Sequence, residues 1–584
     1  MNSGKGMDMI PATALWLLLA VSAIPLALSF GHGLEMTDES TYLLTAADPW
    51  LTLGHGTLYG FGLHPLWKMA GEHLAAFRWV GFLFVLGAAG LFARALQKVV
   101  QSSGSALPRW GRRLILPSLL LAGLGIYSDG IRTPSYNWLA WLGAVFFLSG
   151  ILPGMEKPPA GHRWFWVLLG SLGLILLVLA KWGAALCLVV AAAMAFGFSR
   201  GPGSRGVRSW GWLAAILAGG GIGVALVLLL AVGPGVVTRT LQAGWWTATE
   251  TGSHGAWILG KNITEIFYYF YRLGRALIWI VPIALAGWFL WKKIGGRPAP
   301  TRFVPAVFLA GTALAFLRGY GVGGAPTFSK ESLIAGIWVL GVLWGVTRLG
   351  PLQIAGGKAR MGLLLTVPFL LGVGTNTSIA DYAGHATLFF IGAGWLVLTP
   401  SLGSVGRLAA LVMAISVSTL QASRLVTSLE HSYRIGNVWE ANTPVASGKE
   451  AGRLRLSREM AAFTDAFCAK LQVNGFQEGN PVIGISDLPG LVYLAGGTSP
   501  GVPWFFGHHP GHAKSFVTKV VSSLPEDVLK RTWIFRRSGT LLPGSVESFW
   551  PTASVVTVPR KVAEESGYVW EGKQEKVEIF APSH

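Results

Sequence analysis

The chain has 584 residues, of which 52% are hydrophobic and 12% charged, with a formal net charge of +19. Soluble globular domains carry about twice that charged fraction, so the composition excludes an ordinary soluble protein. In so apolar a chain, a basic excess is typical of short cytoplasmic loops between membrane spans and does not indicate a nucleic-acid partner.

The first predicted element is a membrane helix over residues 10–30, which carry no charged side chain. About 20 such residues cross the hydrocarbon core of a bilayer as a helix. The run is long for a signal-peptide core, and no clear small-x-small cleavage site follows before Glu35, so we expect an uncleaved helix. Similar apolar runs and the charges of the connectors predict about 13 spans in all. Their centres lie near Leu19, Phe84, Leu120, Gly143, Leu172, Ala191, Leu217, Pro282, Leu309, Val339, Val367, Ile391 and Val412.

Basic residues concentrate in alternate connectors, at residues 94–113, 199–208, 292–302 and 348–360. The positive-inside rule places these connectors, and with them the N-terminus, in the cytoplasm. An odd number of spans then places the polar tail outside. We therefore expect a transmembrane domain over residues 1–424 and an extracytoplasmic soluble domain over residues 425–584.

The polar tail is long enough for one small domain. A helix is predicted after a cap at Ser457, and strands are predicted at residues 482–485 and 533–535, with a turn at residues 488–490. Because helices and strands alternate, we expect an α/β or α+β module behind an otherwise all-α, polytopic membrane domain. The apolar positions at helical spacing are Met460, Phe463, Phe467 and Leu471.

The segment between the first two predicted spans carries the most informative pattern. Asp38 and Glu39 follow shortly after the first span, so they should lie at the outer membrane surface. Amphipathic stretches rich in Leu, Trp and Tyr come next and are typical of helices in the interface plane. His64 begins a His-Pro-Leu stretch, and Arg78 opens the second span.

This order of motifs resembles the GT-C superfamily of membrane glycosyltransferases, above all the bacterial aminoarabinose transferase and the protein O-mannosyltransferases. Those enzymes carry an acidic pair after the first helix, in the pattern Asp-Glu-x-x-Tyr, and residues 38–42 here read DESTY. They carry a His-Pro-Pro-Leu-like stretch before the second helix, where this chain has HPL at residues 64–66 and lacks one proline. An Arg at the start of the second helix is matched by Arg78. The resemblance implies about 13 helices in a bacterial inner membrane, with the N-terminus in the cytoplasm and the soluble domain of residues 425–584 in the periplasm.

The resemblance also implies a reaction. A hexosyl or pentosyl unit would pass from a polyprenyl-phosphate donor to a lipid, glycan or protein acceptor of the envelope, with inversion. Asp38 would be the general base, because the family places its base at the first acid of the pair. Glu39 would help to position the acceptor or a metal. No metal-ligand set is assigned, and a divalent metal is left open. Alternatively, both acids mark a solvated loop or cap the next helix.

A phosphate leaving group requires positive charge in a poorly hydrated place. Lys181 interrupts an apolar run, and an ionisable residue there indicates a functional site. The alternative for Lys181 is a lysine that snorkels from a helix end. Lys261, Arg272 and Arg318 fall at or near outward ends, where the positive-inside bias disfavours them, and a phosphate ligand would explain their placement.

The remaining candidates for substrate binding are polar and aromatic side chains of outward segments. Asp129 and Arg132 would pair with each other, or Asp129 would contact the sugar or a metal. Tyr136 would bind sugar hydroxyls or belong to a capped turn. His254 lies in a long aromatic loop. Three histidines at residues 506–512 match no standard zinc spacing and are interpreted as a loop. Tyr42, His64 and Arg78 complete the set through the family motifs.

Three other functions compete with a transferase. A transporter or flippase of lipid-linked glycans would place ionisable residues near the midplane and show repeated halves, whereas here they gather at one surface. A glycan polymerase or ligase usually relies on outward arginines and histidine rather than on an early acidic pair. A structural subunit of an envelope complex would also suit the tail, and it would not depend on Asp38.

Overall fold

The computed structural model of the protein describes residues 9–53, 56–102, 109–155, 162–199, 206–250, 357–374, 379–398, 404–503, 513–538, 557–570 and 573–582, with a few single positions between them. The predicted spans near Pro282, Leu309 and Val339 lie outside the described residues. So do four predicted site residues, namely His254, Lys261, Arg272 and Arg318.

The described part of the N-terminal domain is a bundle of helices with short helices at one end. Apolar side chains fill the helix interfaces, and charged side chains are rare in the helix interiors. In chain order the helices are α1 (Met9–Leu28), α2 (Asp38–Ala47), α3 (Tyr59–Met69), α4 (Leu74–Ser102), α5 (Arg109–Gly123), α6 (Tyr136–Ile151), α7 (Arg163–Phe198), α8 (Gly206–Leu226), α9 (Pro234–Glu250), α10 (Gly357–Leu370), α11 (Ile379–His385), α12 (Thr387–Leu398) and α13 (Ser404–Glu430).

Within the described ranges, five helices are long and apolar enough to cross a membrane. The chain is therefore a helical membrane protein, while the count of about 13 spans stays a prediction. Two shorter apolar helices, Arg113–Tyr127 and Thr387–Leu396, accompany them. The five long helices are Pro11–Gly31, Leu74–Gln101, Tyr136–Gly154, Arg163–Phe198 and Ser209–Val232.

Helix α7 reverses direction at Lys181, whose backbone leaves the helical region (φ −153°, ψ 87°). A straight helix of 36 residues would separate its ends by about 54 Å. Instead, the Ser199 hydroxyl just beyond its end lies 3.4 Å from the carbonyl oxygen of Met155, shortly before its start. The two halves therefore form a hairpin with Lys181 at its tip, as the separate spans predicted near Leu172 and Ala191 require.

Helix α6 packs backbone against backbone on the first half of α7. A Cβ on Gly150 would lie 2.6 Å from the Cα of Gly170, and a Cβ on Gly173 would lie 2.2 Å from the nitrogen of Phe147. Small residues allow this approach, which is a common source of packing between membrane helices. The close antiparallel contact brings the start of α6, at Tyr136, to the same end of the bundle as the hairpin tip.

The C-terminal domain contains a four-stranded mixed sheet in the order β3-β4-β6-β5, in which β3 and β4 are parallel and the other pairs antiparallel. The Ser457 side chain accepts a hydrogen bond from the Met460 amide, which confirms the predicted cap. The strands predicted at 482–485 and 533–535 are also confirmed, whereas the predicted turn at 488–490 opens a short helix. The elements are β1 (Thr443–Pro444), β2 (Arg455–Leu456), α14 (Arg458–Val473), β3 (Val482–Ile485), α15 (Pro489–Leu494), α16 (Ala513–Ser522), α17 (Glu526–Leu529), β4 (Trp533–Arg537), β5 (Arg560–Trp570) and β6 (Lys573–Ala581).

This domain sits on the end of the bundle that carries α2, α3 and the α7 hairpin tip. The Gly490 amide donates to the carbonyl of Met36 at 2.8 Å, and the Leu74 amide donates to the Glu450 carboxylate at 3.0 Å. Helix α13 continues to Glu430, and the domain boundary at residue 425 stays a prediction. The loop before α2 is thus enclosed between the bundle and the sheet domain.

Candidate active site

A buried ion pair fixes the start of α2 to the bundle. Arg78 Nε and Nη2 donate to the Glu39 carboxylate at 3.1 and 2.8 Å, and the Thr133 hydroxyl donates to the same carboxylate at 2.5 Å. Arg78 also donates to the carbonyl oxygens of Phe30 at 2.7 Å and Gly33 at 2.9 Å. One guanidinium therefore holds together the end of α1, the start of α2 and the loop before α6.

Arg132 completes what we name the anchor cluster, formed by Glu39, Arg78, Arg132 and Thr133. Its Nη1 donates to the Ser29 carbonyl at 2.7 Å, and burial lowers its pKa to about 9. Burial by itself would raise the pKa of Glu39, but Arg78 and Arg132 outweigh that effect and hold it below its ordinary value. All four side chains are buried. Glu39, Arg78 and Arg132 therefore hold the start of α2 to the bundle. The catalytic role predicted for Glu39 and the substrate contacts predicted for Arg78 and Arg132 stay predictions.

Glu35 caps α2. Its carboxylate accepts hydrogen bonds from the amides of Thr37 and Glu39 at 3.0 Å each, and its own amide donates to the Glu39 carboxylate at 3.0 Å. This reciprocal pairing satisfies helix N-terminal donors in the manner of a capping box. Because Glu35 performs the capping that was considered for Asp38 and Glu39, the carboxylate of Asp38 is available for another role.

Asp38 faces a cavity of about 220 Å³, which we name the inner cavity. The cavity lies where α2, the loop before α6, α11 and the segment after α13 meet. Of the predicted site residues, Asp38, Tyr42, Asp129 and Tyr136 are brought together here. Its lining consists of Asp38, Tyr42, Ile126, Tyr127, Asp129, Ile131, Thr133, Ser135, Tyr136, Asn137, Trp138, Tyr382, His385 and Tyr433.

The electrostatic setting of Asp38 suits a base. Its side chain is 20% exposed, and Arg434 Nη1 lies 3.9 Å from its Oδ2. Burial raises the pKa of Asp38 to about 6, although the charge of Arg434 and a hydrogen bond from Tyr433 oppose the rise. A carboxylate with such a pKa is ionised at neutral pH and accepts a proton more readily than an exposed aspartate does.

Lys181 lies beside the inner cavity. Its Nζ is 4.0 Å from the ring centre of Tyr382 and 5.0 Å from that of Tyr136, two rings that line the cavity. It donates to the Leu371 carbonyl at 3.0 Å, and only 4% of the residue is exposed. A snorkelling lysine would extend its amino group to an exposed surface. Lys181 instead places its amino group against the faces of two tyrosine rings that line the inner cavity.

Two other predicted site residues, Asp129 and His64, form hydrogen bonds with nearby backbone groups. The Asp129 carboxylate accepts from the Ile131 amide at 3.0 Å rather than pairing with Arg132, and burial raises its pKa, against the nearby charge of His385. His64 Nδ1 lies 2.9 Å from the carbonyl of Ala46, at the far end of α2. His64 therefore contacts α2 and lines neither described cavity, and its substrate contact stays a prediction.

A second cavity of about 310 Å³, the outer cavity, lies between the loop before α2, the segment after α13 and the C-terminal domain. Arg434 joins the two cavities, because its Nη1 is 3.9 Å from Glu35 Oε1 as well as from Asp38. The lining residues are Gly33, Leu34, Glu35, Met36, Arg434, Ile435, Asn437, Glu440, Ala441, Leu456, Ser457, Met460 and Val569.

No role was predicted from the sequence for Tyr433 and Arg434, which lie shortly after the end of α13. The signal that singled out Arg272 and Arg318, a basic residue at an outward end, was also present at Arg434. Tyr382 and His385 were missed because α11 is short and carries no motif. Across the ranges that the structure describes, no group of three or more His, Cys, Asp or Glu side chains is placed to hold a metal ion.

Among the comparisons with known proteins, the comparison of structures gives a match. No family model matches the sequence, and no curated protein matches it either. The structure is similar to the crystal structure of ArnT from Cupriavidus metallidurans bound to undecaprenyl phosphate. The match has 14% identity and a TM-score of 0.38 and covers 96% of this chain and 97% of that one. At this TM-score, the function is inferred from the geometry of the site itself.

Proposed function

We propose that the protein is an inverting glycosyltransferase that moves a sugar from a polyprenyl-phosphate donor to an envelope acceptor at the periplasmic membrane face. The observation that carries this proposal is the position of Asp38. Its partly exposed carboxylate opens into a cavity at the boundary between an apolar helical bundle and a polar domain. A lipid carrier in the bilayer and a polar acceptor can meet at such a boundary.

The chemistry uses Asp38 as general base. The acceptor's oxygen or nitrogen attacks the anomeric carbon, while its proton passes to the Asp38 carboxylate. The bond between that carbon and the phosphate oxygen breaks, and polyprenyl phosphate leaves with the electron pair. Inversion at the anomeric carbon is what the family resemblance implies.

The departing phosphate gains negative charge, which positive groups in a water-poor site stabilise. Lys181 at the tip of the α7 hairpin supplies such a charge, next to Tyr136 and Tyr382 of the cavity wall. Tyr42 and Asn137, which also line the cavity, offer hydrogen bonds to sugar hydroxyls. The anchor cluster keeps α2 in place beneath these groups.

The proposal is tested with purified protein and a panel of polyprenyl-phosphate sugars, by measuring release of polyprenyl phosphate. We expect wild type to turn over one donor and Asp38→Asn to lose about 10²- to 10⁴-fold in rate. Glu72→Gln, at an exposed position of the same face, serves as the control. Undiminished turnover in a folded Asp38→Asn protein would remove Asp38 from the chemistry, and Asp129 would be examined next.

The same assay separates the competing functions. A flippase would move the lipid-linked sugar across a vesicle membrane without releasing polyprenyl phosphate. A polymerase or ligase would consume a diphosphate-linked donor instead. Retention of the sugar on its carrier during transport, or exclusive use of the diphosphate donor, would each replace the proposed function.

A further inference from the structure

We propose that the protein binds the headgroup of an anionic phospholipid of the surrounding bilayer through a surface formed by His73, Arg453 and Arg455, which we name the basic patch. None of these three residues lines either described cavity. A lipid bound at the patch fastens the C-terminal domain to the membrane. This interaction is separate from sugar transfer and does not depend on it.

An exposed apolar stripe on α1 shows where the bilayer meets this side of the bundle. Its side chains recur at helical spacing and are between 58% and 64% exposed. On a helix that is long and apolar enough to cross a membrane, side chains of this kind face lipid. The stripe consists of Leu17, Val21, Ile24 and Leu28.

Helix α4 continues the lipid-facing surface and marks its limit. Leu83 and Trp79 are 59% and 44% exposed, and the Trp79 ring lies 5.3 Å from the ring of Phe30, near the end of α1. A tryptophan at the end of a lipid-facing stripe is typical of the boundary between the hydrocarbon core and the headgroups. We therefore place that boundary at Leu28 and Trp79.

The C-terminal domain packs just beyond this boundary. A Cβ on Gly31 would lie 3.6 Å from the carbonyl oxygen of Arg453, and the Gly33 amide donates to the carbonyl of Arg455 at 2.7 Å. Gly31 follows Leu28 by three residues, or about 5 Å along a helix. The headgroup layer on each side of a bilayer is about 5–7 Å thick, so the backbone of Arg453 lies at headgroup depth.

His73 and Arg453 form a pair of donors at that depth. Arg453 Nη1 donates to His73 Nδ1 at 2.7 Å. Because Nδ1 accepts this bond, the proton of the neutral imidazole is on Nε2, where it is available to another acceptor. His73 precedes Trp79 by six residues, or about 9 Å along α4. A guanidinium and an imidazole N–H at the level of the lipid phosphates match the oxygens of a phosphodiester.

Arg455 adds a second guanidinium on the same side of its strand. Burial alternates along residues 453–456, where the two arginines are exposed and Leu454 and Leu456 are buried. Alternate residues of an extended chain point to the same side. Residues 451–458 contain three arginines and no acid, so this stretch attracts negative charge.

Two acids near the patch in the chain have other partners. Glu450 is buried, and its carboxylate accepts from the Leu74 amide at 3.0 Å. Glu72 pairs with Lys68 at 2.5 Å. The patch therefore favours a lipid with a net negative charge over a zwitterionic one, whose positive group the arginines repel. Each basic residue beside an anionic lipid surface contributes about fivefold in binding.

The test uses a photoreactive probe, p-benzoylphenylalanine in place of Trp439. The Trp439 side chain is 39% exposed, its ring lies 5.6 Å from the ring of His32, and His32 forms a bridge with Arg455. The probe thus reports on this surface and not on the basic connectors elsewhere in the chain. The full chain is reconstituted in nanodiscs of phosphatidylglycerol and phosphatidylcholine, in equal amounts and with the same acyl chains. After illumination, mass spectrometry identifies the lipid attached to the probe.

We expect phosphatidylglycerol to exceed phosphatidylcholine by about 25-fold on the probe, since two arginines contribute about fivefold each. In Arg453→Gln/Arg455→Gln the ratio should fall to near one, whereas Arg453→Lys/Arg455→Lys retains the charge and should keep a ratio above about five. The matched control is Arg531→Gln/Arg560→Gln, which removes the same charge from two other exposed arginines of the domain and should leave the ratio unchanged.

Thermal unfolding in a neutral detergent checks that each variant folds. Arg455→Gln alone retains the hydrogen bond between Arg453 and His73, so it replaces the double variant if that protein unfolds, with an expected fall of about fivefold. Equal attachment of both lipids in the protein with native arginines, the same ratio in the glutamine variants, or no attached lipid would overturn the proposal. Loss of the lipid adduct in millimolar glycerol phosphate would identify a site for free phosphate esters instead. Sugar transfer is not measured, so failure of the proposed function leaves each of these outcomes unchanged.

Discussion

Asp38 and Glu39 are neighbours in the chain, yet they lie in two contrasting regions. Asp38 faces the inner cavity with 20% of its side chain exposed, and burial raises its pKa to about 6. Glu39 is sealed in the anchor cluster, where Arg78 and Arg132 hold its pKa below the ordinary value despite burial. Successive residues of a helix point about 100° apart, so one acid faces the cavity and the other faces the bundle. Two neighbouring acids of one sequence motif can therefore lie in different surroundings and have different roles.

The largest effect on stability should follow from breaking the anchor cluster. Glu39→Gln leaves the Arg78 charge buried without its partner, and we expect a loss of about 3–5 kcal/mol in unfolding free energy. Unfolding in detergent, followed by circular dichroism, measures it. Glu72→Gln breaks a pair with Lys68 in which the side chains are 45% and 53% exposed, so it should cost at most about 1 kcal/mol. Equal losses in the two variants would mean that the anchor cluster does not hold α2.

Lys181 tests whether the inner cavity binds a phosphate. Lys181→Met and Lys181→Gln both remove the charge, and both should lower kcat/KM for the donor by about 10²-fold. Glutamine retains a donor for the Leu371 carbonyl and methionine does not. If Lys181→Gln keeps full activity while Lys181→Met loses it, the lysine serves to close the α7 hairpin instead.

The pH dependence of kcat/KM probes the charge around Asp38. A general base must be ionised, so the wild-type rate should rise with pH through about 6, the pKa of the buried carboxyl. Arg434 favours the ionised form, so its removal in Arg434→Gln should raise the pKa and move the midpoint to higher pH. A midpoint that does not move, or that moves to lower pH, would show that Arg434 does not act on the base.

The smallest effect on the pH dependence of the rate should come from a substitution in the C-terminal domain. Besides burial, the charges of Asp129 and Asp487 raise the pKa of Asp38. Asp487 is buried after β3 with a left-handed backbone (φ 63°), a conformation that asparagine also adopts readily. Asp487→Asn should therefore fold and shift the midpoint of the rate profile to lower pH, opposite to Arg434→Gln. An unchanged profile would mean that this domain does not influence the base electrostatically.

Local patterns in the sequence determined much of the architecture. Long uncharged runs predicted a membrane protein, because burying charge in hydrocarbon is costly. Ser457 and the apolar positions after it predicted α14, since capping and helical periodicity act over a few residues. Lys181 stood out in its apolar run because an ionisable residue is costly to bury in hydrocarbon. In the structure it lies at the hairpin tip.

Tertiary structure alone decided what the polar residues do. Arg434 reaches Asp38 only because α13 returns to the end of the bundle where α2 begins, and no short-range pattern encodes that contact. Glu39 follows Asp38 in the motif, yet it pairs with Arg78 of the bundle, and His64 contacts the far end of α2. Helical periodicity and capping depend on residues that are close together in the chain. The contacts among α2, α6, α13 and the sheet domain depend instead on packing between segments that are up to hundreds of residues apart. That packing determines which acid is available to be the base.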